Sequence, residues 1–164
     1  MHAYMTKGTY DFLQKLQDKY PDIPFYFMAG DSGTLAYYEG KEKSVFVAGS
    51  AYDVIESQGE IAKKGYVVMN HIPVTDDGTT KVEERFKQRK SGLDHMPGFQ
   101  AFRLLRPRKG NTYVVVTQWA SEHDFENWKN SSTFKKQHQN QAAKPPAYVA
   151  AKPFITTYQM VKQE

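Results

Sequence analysis

Residues 99–129 read FQAFRLLRPRKGNTYVVVTQWASEHDFENWK, and this stretch decides the fold of the second half of the chain. β-Branched and aromatic residues over 99–106 and 112–119 predict two strands. The proline, glycine and asparagine at 107–111 are typical of a turn, so the two strands are predicted to form a hairpin.

A helix is predicted directly after this hairpin. Ser121, with Asp124 three residues later, resembles a capping-box start. Phe125 and Trp128 then lie at i and i+3, which gives the helix one apolar side. The last predicted strand of the chain spans residues 154–161.

The residues before the hairpin complete a familiar order of elements. Residues 66–73 are rich in β-branched and aromatic side chains and predict a strand. Thr79 or Thr80 can cap a helix that runs to about residue 90, with Val82 and Phe86 on its buried side. The second half therefore reads β-α-β-β-α-β, the order of a ferredoxin-like module.

The first half looks like a degenerate version of the same module. An apolar stripe predicts a helix over residues 9–20. Strands are predicted at 25–28, 34–38 and 44–47, and a fourth at 52–57 is expected to pair at an edge; no second helix is evident. We therefore predict an α+β protein of two fused ferredoxin-like modules whose antiparallel sheets pack as an internal pseudo-dimer.

Composition excludes several classes of site. The chain of 164 residues has no cysteine, so disulfides, zinc–thiolate sites and iron–sulfur clusters are excluded. No glycine-rich phosphate-binding motif occurs, so we expect no nucleotide or flavin site in the chain itself. Any redox reaction would then take its electrons from a separate reductase or a small reductant. The net charge of +4 is modest, and Glu83 and Glu84 interrupt the basic run at 81–90. The second basic run, at 103–109, looks like a strand end that enters a turn, so nucleic acid is disfavoured as a partner. Without an apolar run of spanning length or a signal-peptide core, we expect a cytoplasmic protein and no membrane partner.

Trp128 and His138 stand ten residues apart in one predicted helical segment. A neutral imidazole is the commonest protein ligand for a metal, including the iron of haem, and an indole beside it could wall a flat apolar ligand. Periodicity alone explains the tryptophan equally well as a core residue, and the histidine as an exposed polar one. Arg85 and Arg89 share a helix face and are read either as solvated charges or as partners of an anionic ligand.

The second half closely resembles the IsdG-type haem-degrading monooxygenases of the antibiotic-biosynthesis-monooxygenase superfamily. The resemblance runs from about residue 66 to residue 161. It is carried by Asn70 at the end of the first strand, residues 84–89 on the helix, and the motifs at 96–99, 116–119 and 125–138.

This resemblance implies a functional triad of Asn70, Trp128 and His138. His138 would be the axial ligand of the haem iron, and Asn70 would donate a hydrogen bond on the side where oxygen binds. Trp128 would press on the macrocycle and bend it. Arg85, Phe86 and Arg89 would help to hold the haem. The family cleaves haem, both its substrate and its cofactor, with O2 and external electrons and releases iron.

The length and the extra N-terminal half look like the HmoB branch, in which two modules are fused. We accordingly divide the chain into a degenerate half at 1–64 without a haem site and a haem-binding half at 65–164. The first half would stand in for a second subunit, so the resemblance implies a monomer.

Three rival functions stay open at this point. The chain could carry or sense haem without degrading it, or it could be a cofactor-free monooxygenase of an aromatic substrate. It could also be a structural or signalling module, which a pocket filled by side chains would favour.

Overall fold

The computed structural model describes residues 1–89, 93, 95–131 and 149–161. In these residues the strands are β1 (His2–Gly8), β2 (Tyr26–Gly30), β3 (Gly33–Gly40), β4 (Ser50–Gly59), β5 (Tyr66–Pro73), β6 (Phe99–Pro107), β7 (Thr112–Trp119) and β8 (Phe154–Met160). The helices are α1 (Tyr10–Lys19), α2 (Thr79–Arg89) and α3 (Glu122–Lys129). None of these helices has the length and apolar character needed to cross a membrane.

The strands form one closed antiparallel barrel in the order β1-β3-β2-β8-β5-β7-β6-β4. The second half supplies β8-β5-β7-β6 and the first half supplies β4-β1-β3-β2, so both halves arrange their strands in the same way. Their sheets join at two seams, β2 with β8 and β4 with β6. The predicted pair of fused ferredoxin-like modules is confirmed.

Two helices begin where a side chain satisfies the free backbone N–H groups of the first turn. The Thr9 hydroxyl accepts from the N–H of Phe12 at the start of α1, and the Ser121 hydroxyl accepts from the N–H of Asp124 at the start of α3. The predicted cap at Ser121 is therefore confirmed.

The first half departs from its predicted strands in three places. β1 was not predicted, and it pairs with both β3 and β4. Residues 44–47 form no strand; Val45 and Phe46 instead pack against the aromatic cluster beneath α1. The strand predicted at 52–57 is not an edge, because β4 pairs with β1 on one side and β6 on the other.

Three apolar clusters fill the fold. The barrel interior is occupied by buried side chains from both halves, among them Met5, Met28, Met69 and Leu105. A second cluster lies on the outer face of the second-half sheet with α2 and α3, and a third on the outer face of the first-half sheet with α1.

Polar side chains also tie the two halves together inside the barrel. The Arg103 Nε donates to Glu39 Oε2 at 2.8 Å, and only 5% of the arginine side chain is exposed. Arg103 Nη1 donates to the carbonyls of Gln58, Gly59 and Phe102. The Tyr37 hydroxyl donates to the same carboxylate at 2.6 Å; burial, followed by the charge of Glu39, raises the pKa of Tyr37 well above its usual value.

The segment joining the halves is held by a buried amide. Gln118, which has no exposed surface, accepts from the N–H of Ala62 at 2.7 Å and donates to the carbonyls of Ala62 and Lys64. The neighbouring Ile61 belongs to the interior cluster. The connection between the modules is therefore part of the core.

Removing the carboxylate of Glu39 is expected to destabilise the barrel. Glu39→Ala leaves the Arg103 charge buried without its partner, which costs about 3–5 kcal/mol of unfolding free energy. Urea denaturation measures the loss, with Glu42→Ala on the exposed loop as a control that changes stability by less than about 0.5 kcal/mol. The double variant Glu39→Leu/Arg103→Met should recover most of the stability. Equal midpoints for Glu39→Ala and Glu42→Ala would contradict the role of the buried ion pair.

Candidate functional site

The predicted site residues belong to the outer face of the second-half sheet. Side chains alternate along β5: Val67 and Met69 belong to the interior cluster, and Val68 and Ile72 to the outer one. Asn70 is two residues away from both Val68 and Ile72 along the strand, so its side chain lies on the same outer face, beside α2 and α3.

Asn70 lies among apolar neighbours on this face. It is half-buried and lies within β5 rather than at its end. Its partners in register are Val115 on β7 and Ile155 on β8. Ile155 is 56% exposed, so the strip beside the amide is apolar and open to solvent on the β8 side.

Trp128 lies in the last turn of α3 and contributes to the same outer cluster. Its ring packs 5.4 Å from that of Trp119, with 30° between the planes, and 6.1 Å from that of Phe125. Trp119 is fully buried, and its indole N–H donates to the Thr117 hydroxyl at 3.0 Å. The packed-core interpretation of Trp128 is thus correct, and it leaves a wall function open.

The three predicted site residues on α2, namely Arg85, Phe86 and Arg89, occupy different environments. Phe86 is 5% exposed and, with Val82, forms part of the outer cluster, as predicted for the buried side of the helix. Arg85 is half-buried. Arg89 lies in the last turn of α2, and its side chain is outside the described residues.

His138 also lies outside the described residues, as does the whole of 132–148. Its proximity to Asn70 and Trp128 therefore stays a prediction. Among the described residues, no group of three or more His, Asp or Glu side chains could hold a metal ion.

His71, next to Asn70 in the chain, belongs to the opposite face of β5. Its ring stacks on Phe154 at 4.5 Å, and its Nε2 lies 2.8 Å from the Thr156 hydroxyl. Burial, and then the charge of Lys7, lowers the pKa of His71 and keeps the ring neutral at neutral pH. Because side chains alternate across a sheet, this imidazole cannot reach a ligand on the face of Asn70.

Sequence reasoning missed a polar cluster beside α2. Arg106 from β6 makes two hydrogen bonds to Glu83, and the Tyr113 hydroxyl donates to Glu83 Oε2 at 2.7 Å. Burial would raise the pKa of Glu83, but the bonds from Arg106 and Tyr113 outweigh it and lower the pKa. Burial and Glu83 raise the pKa of Tyr113 to about 12. The cluster borders a cavity of about 470 Å³ between α2 and the β6–β7 hairpin.

The corresponding outer face of the first half is closed by its own residues. The Tyr4 hydroxyl donates to the carbonyl of Glu42, and the Tyr38 hydroxyl accepts from the N–H of Val45. The Phe46 ring lies 5.1 Å from that of Tyr38 and 5.9 Å from that of Phe25. Residues 41–49 therefore cover this sheet, and aromatic side chains fill the space beneath them.

Comparison with known proteins places this arrangement in a family. The model of the antibiotic biosynthesis monooxygenase (ABM) family matches residues 65–140. The signal transduction protein TRAP of Staphylococcus aureus (strain bovine RF122 / ET3-1) is 31% identical over 140 residues, which cover 85% of this chain and 83% of that protein.

Two solved structures share the fold over almost the whole chain. One is described as a major regulator of staphylococcal pathogenesis, with a TM-score of 0.88 and 25% identity, covering 99% of this chain and 100% of the other. The heme-degrading enzyme LmHde of Listeria monocytogenes has a TM-score of 0.73 and 22% identity, covering 96% of this chain and 99% of the other. The second likeness is one of fold alone. The chain belongs to the family of the staphylococcal signal transduction protein TRAP, and its second half carries the match to the ABM model.

Proposed function

We propose that this chain is a haem-degrading monooxygenase that binds one haem on the outer face of its second half. The observation that carries the proposal is the position of Asn70, a half-buried amide between Val115 and the exposed Ile155. An apolar strip with one side open suits a flat apolar ligand, and an amide N–H can donate to an oxygen ligand above it. The existence of a heme-degrading enzyme with the same fold supports this choice.

The residues would divide the work as follows. His138 would hold the iron through its imidazole, and Asn70 would donate a hydrogen bond at the oxygen-binding side. Trp128 would form the wall that presses on the macrocycle, and Arg85 and Arg89 would neutralise the propionates. Bound haem supplies the O2 chemistry on itself, with electrons from an external reductase or a small reductant, while the protein binds and orients it.

The apolar surroundings of the proposed site fit this ligand. Phe86, Trp119 and Phe125 are buried beneath the helices and give the face a rigid apolar base. The first half offers no matching face, since residues 41–49 close it. We therefore propose one haem per chain, bound within a monomer.

Removal of the proposed iron ligand should abolish haem binding in its native mode. His138→Ala is expected to lose more than about tenfold in haem affinity, because even the hydrogen-bond partners of metal ligands are worth about ten- to a hundredfold. Titration of haem, followed through the Soret band, measures the affinity, and ascorbate in air then tests degradation and iron release. His123→Ala, an exposed histidine on α3, is the matched control and should behave as the wild type.

Each other outcome names a different function. A wild-type Soret band that persists under ascorbate means a haem carrier or sensor. No band in the wild type removes haem from the proposal altogether. Equal titration curves for His138→Ala and His123→Ala would show that another residue binds the iron.

Loss of the Asn70 amide should slow degradation without weakening binding. Asn70→Ala is expected to degrade haem about fivefold more slowly at an unchanged affinity, because a lost hydrogen bond of about 1 kcal/mol acts only once oxygen is bound. Single-turnover decay of the Soret band under ascorbate measures the rate. Asn127→Ala, an exposed asparagine on α3, serves as the control. A parallel fall in affinity for Asn70→Ala would mean a packing role instead.

A second candidate is a non-catalytic signalling role, favoured by the 31% identity to the signal transduction protein TRAP. The barrel interior, filled by buried side chains of both halves, is consistent with it. A third, cofactor-free oxidation of an aromatic substrate, follows from the ABM superfamily. Both predict no Soret band on adding haem, and oxygen uptake with an aromatic substrate separates them.

A further inference from the structure

The two tryptophans of the chain form one contact pair. The chain has only two, Trp119 and Trp128, and their ring centroids lie 5.4 Å apart with 30° between the planes. Trp128 is half-buried at the end of α3, whereas Trp119 is fully buried at the end of β7. One ring can therefore meet a ligand, and the other supports it from behind.

Trp119 is fixed in its plane from several directions. Its indole N–H donates to the Thr117 hydroxyl at 3.0 Å, and Thr117 is itself 7% exposed. Phe99 meets its ring edge-on at 5.7 Å, and Phe125 packs at 6.1 Å. A buried indole N–H needs a hydrogen-bond partner, so the Thr117 hydroxyl selects one orientation of the ring.

Thr117 and Trp119 lie on the same outer face as Asn70. Thr117 pairs in register with Val68 and Phe102, and Trp119 with Tyr66 and Phe99. Val68, Phe102 and Trp119 all belong to the outer cluster, which also includes Trp128. The Thr117 hydroxyl and the Trp119 indole therefore lie on one face of the sheet, and Trp128 packs against Trp119 on that face.

We propose that Trp119, oriented by the Thr117 hydroxyl, is a positioning residue that sets the plane of Trp128 against the ligand. This inference rests on the proposed haem-degrading function and assigns two residues to it. The indole of Trp128 approaches a flat ligand at an angle that its support determines, because stacked aromatic rings keep a preferred offset and tilt. If Trp119 could turn, Trp128 would meet the ligand at several angles between the ring planes. Only one of these angles distorts the ligand productively.

The geometry of the pair has its own optical signature in the haem-free protein. Two indoles at this separation couple and give a circular-dichroism couplet in the indole absorption region. Trp119→Phe and Trp128→Phe should each abolish the couplet, because the chain has no third tryptophan. Thr117→Val should weaken it, because it removes the hydroxyl that orients Trp119, whereas Thr117→Ser keeps the hydroxyl and should retain it.

The same four variants, each first shown to unfold cooperatively, are then loaded with haem and given ascorbate in air. Thr117→Val is expected to bind haem within about twofold of the wild type and to degrade it about tenfold more slowly. Thr117→Ser should restore the wild-type rate. Ser131→Ala in the turn after α3 removes a hydroxyl that donates to the backbone carbonyl of Trp128 rather than one that bonds an indole. It serves as the control, and its couplet should be unchanged.

The outcomes separate the inference from the function beneath it. If the wild type binds no haem or leaves it intact, the proposed function fails and the positioning role fails with it. If the wild type degrades haem while Thr117→Val keeps both the couplet and the wild-type rate, the function stands and the inference is overturned. A slow Thr117→Val that Thr117→Ser does not rescue overturns it too, because the hydroxyl is then not responsible. Should Thr117→Val fail to unfold cooperatively, Trp119→Phe decides, since a wild-type rate in that variant contradicts the inference.

Discussion

The two seams, β4 with β6 and β2 with β8, are the constraint on which the rest of the structure depends. Each half alone would leave two sheet edges with unpaired backbone N–H and C=O groups, and these edges could pair with other chains. It would also expose the apolar inner face of its sheet to water. Pairing the edges closes the barrel and buries the inner faces against one another. The Arg103–Glu39 ion pair and the Gln118 contacts to residues 62 and 64 then fix how one half sits on the other.

Closure of the barrel also decides where a ligand can bind. Side chains of both halves fill the barrel interior, so in the described part of the chain a ligand finds room on the outer faces of the sheets. These two faces differ. Residues 41–49 and a set of packed aromatic rings close the first, whereas the second carries Asn70, the exposed Ile155 and Trp128, with Trp119 buried beneath it.

Local pattern predicted the second half well and the first half poorly. The strands predicted at 66–73 and 112–119 coincide with β5 and β7, because each has a clear run of β-branched residues between turn signals. β1 was not predicted because the strand has only seven residues and mixes apolar with polar ones without a clear pattern. Its partner β3 also lies far along the chain. The apolar residues at 44–47 were assigned to a strand because local pattern cannot distinguish a strand from a loop that packs on aromatic rings.

The same limit applies to the candidate site. The resemblance singled out Asn70 and Trp128, but the face of the sheet on which Asn70 lies became clear only from the clusters that its neighbours on β5 join. The sequence did not single out Glu83 as a site residue, although its carboxylate accepts hydrogen bonds from Arg106 and Tyr113 on two strands. Which strand residues face α2 depends on how the helix packs on the sheet, and the local sequence of the helix does not show it.

The covalent connection between the halves has a consequence for symmetry. When two identical chains close a barrel, every substitution occurs twice, so a residue that seals one outer face seals the other as well. In a single chain each face varies by itself. The segment at 60–65, held by the buried Gln118 amide, therefore does more than keep the halves together. It allows the two halves to differ in sequence, and in this chain residues 41–49 cover the outer face of the first half.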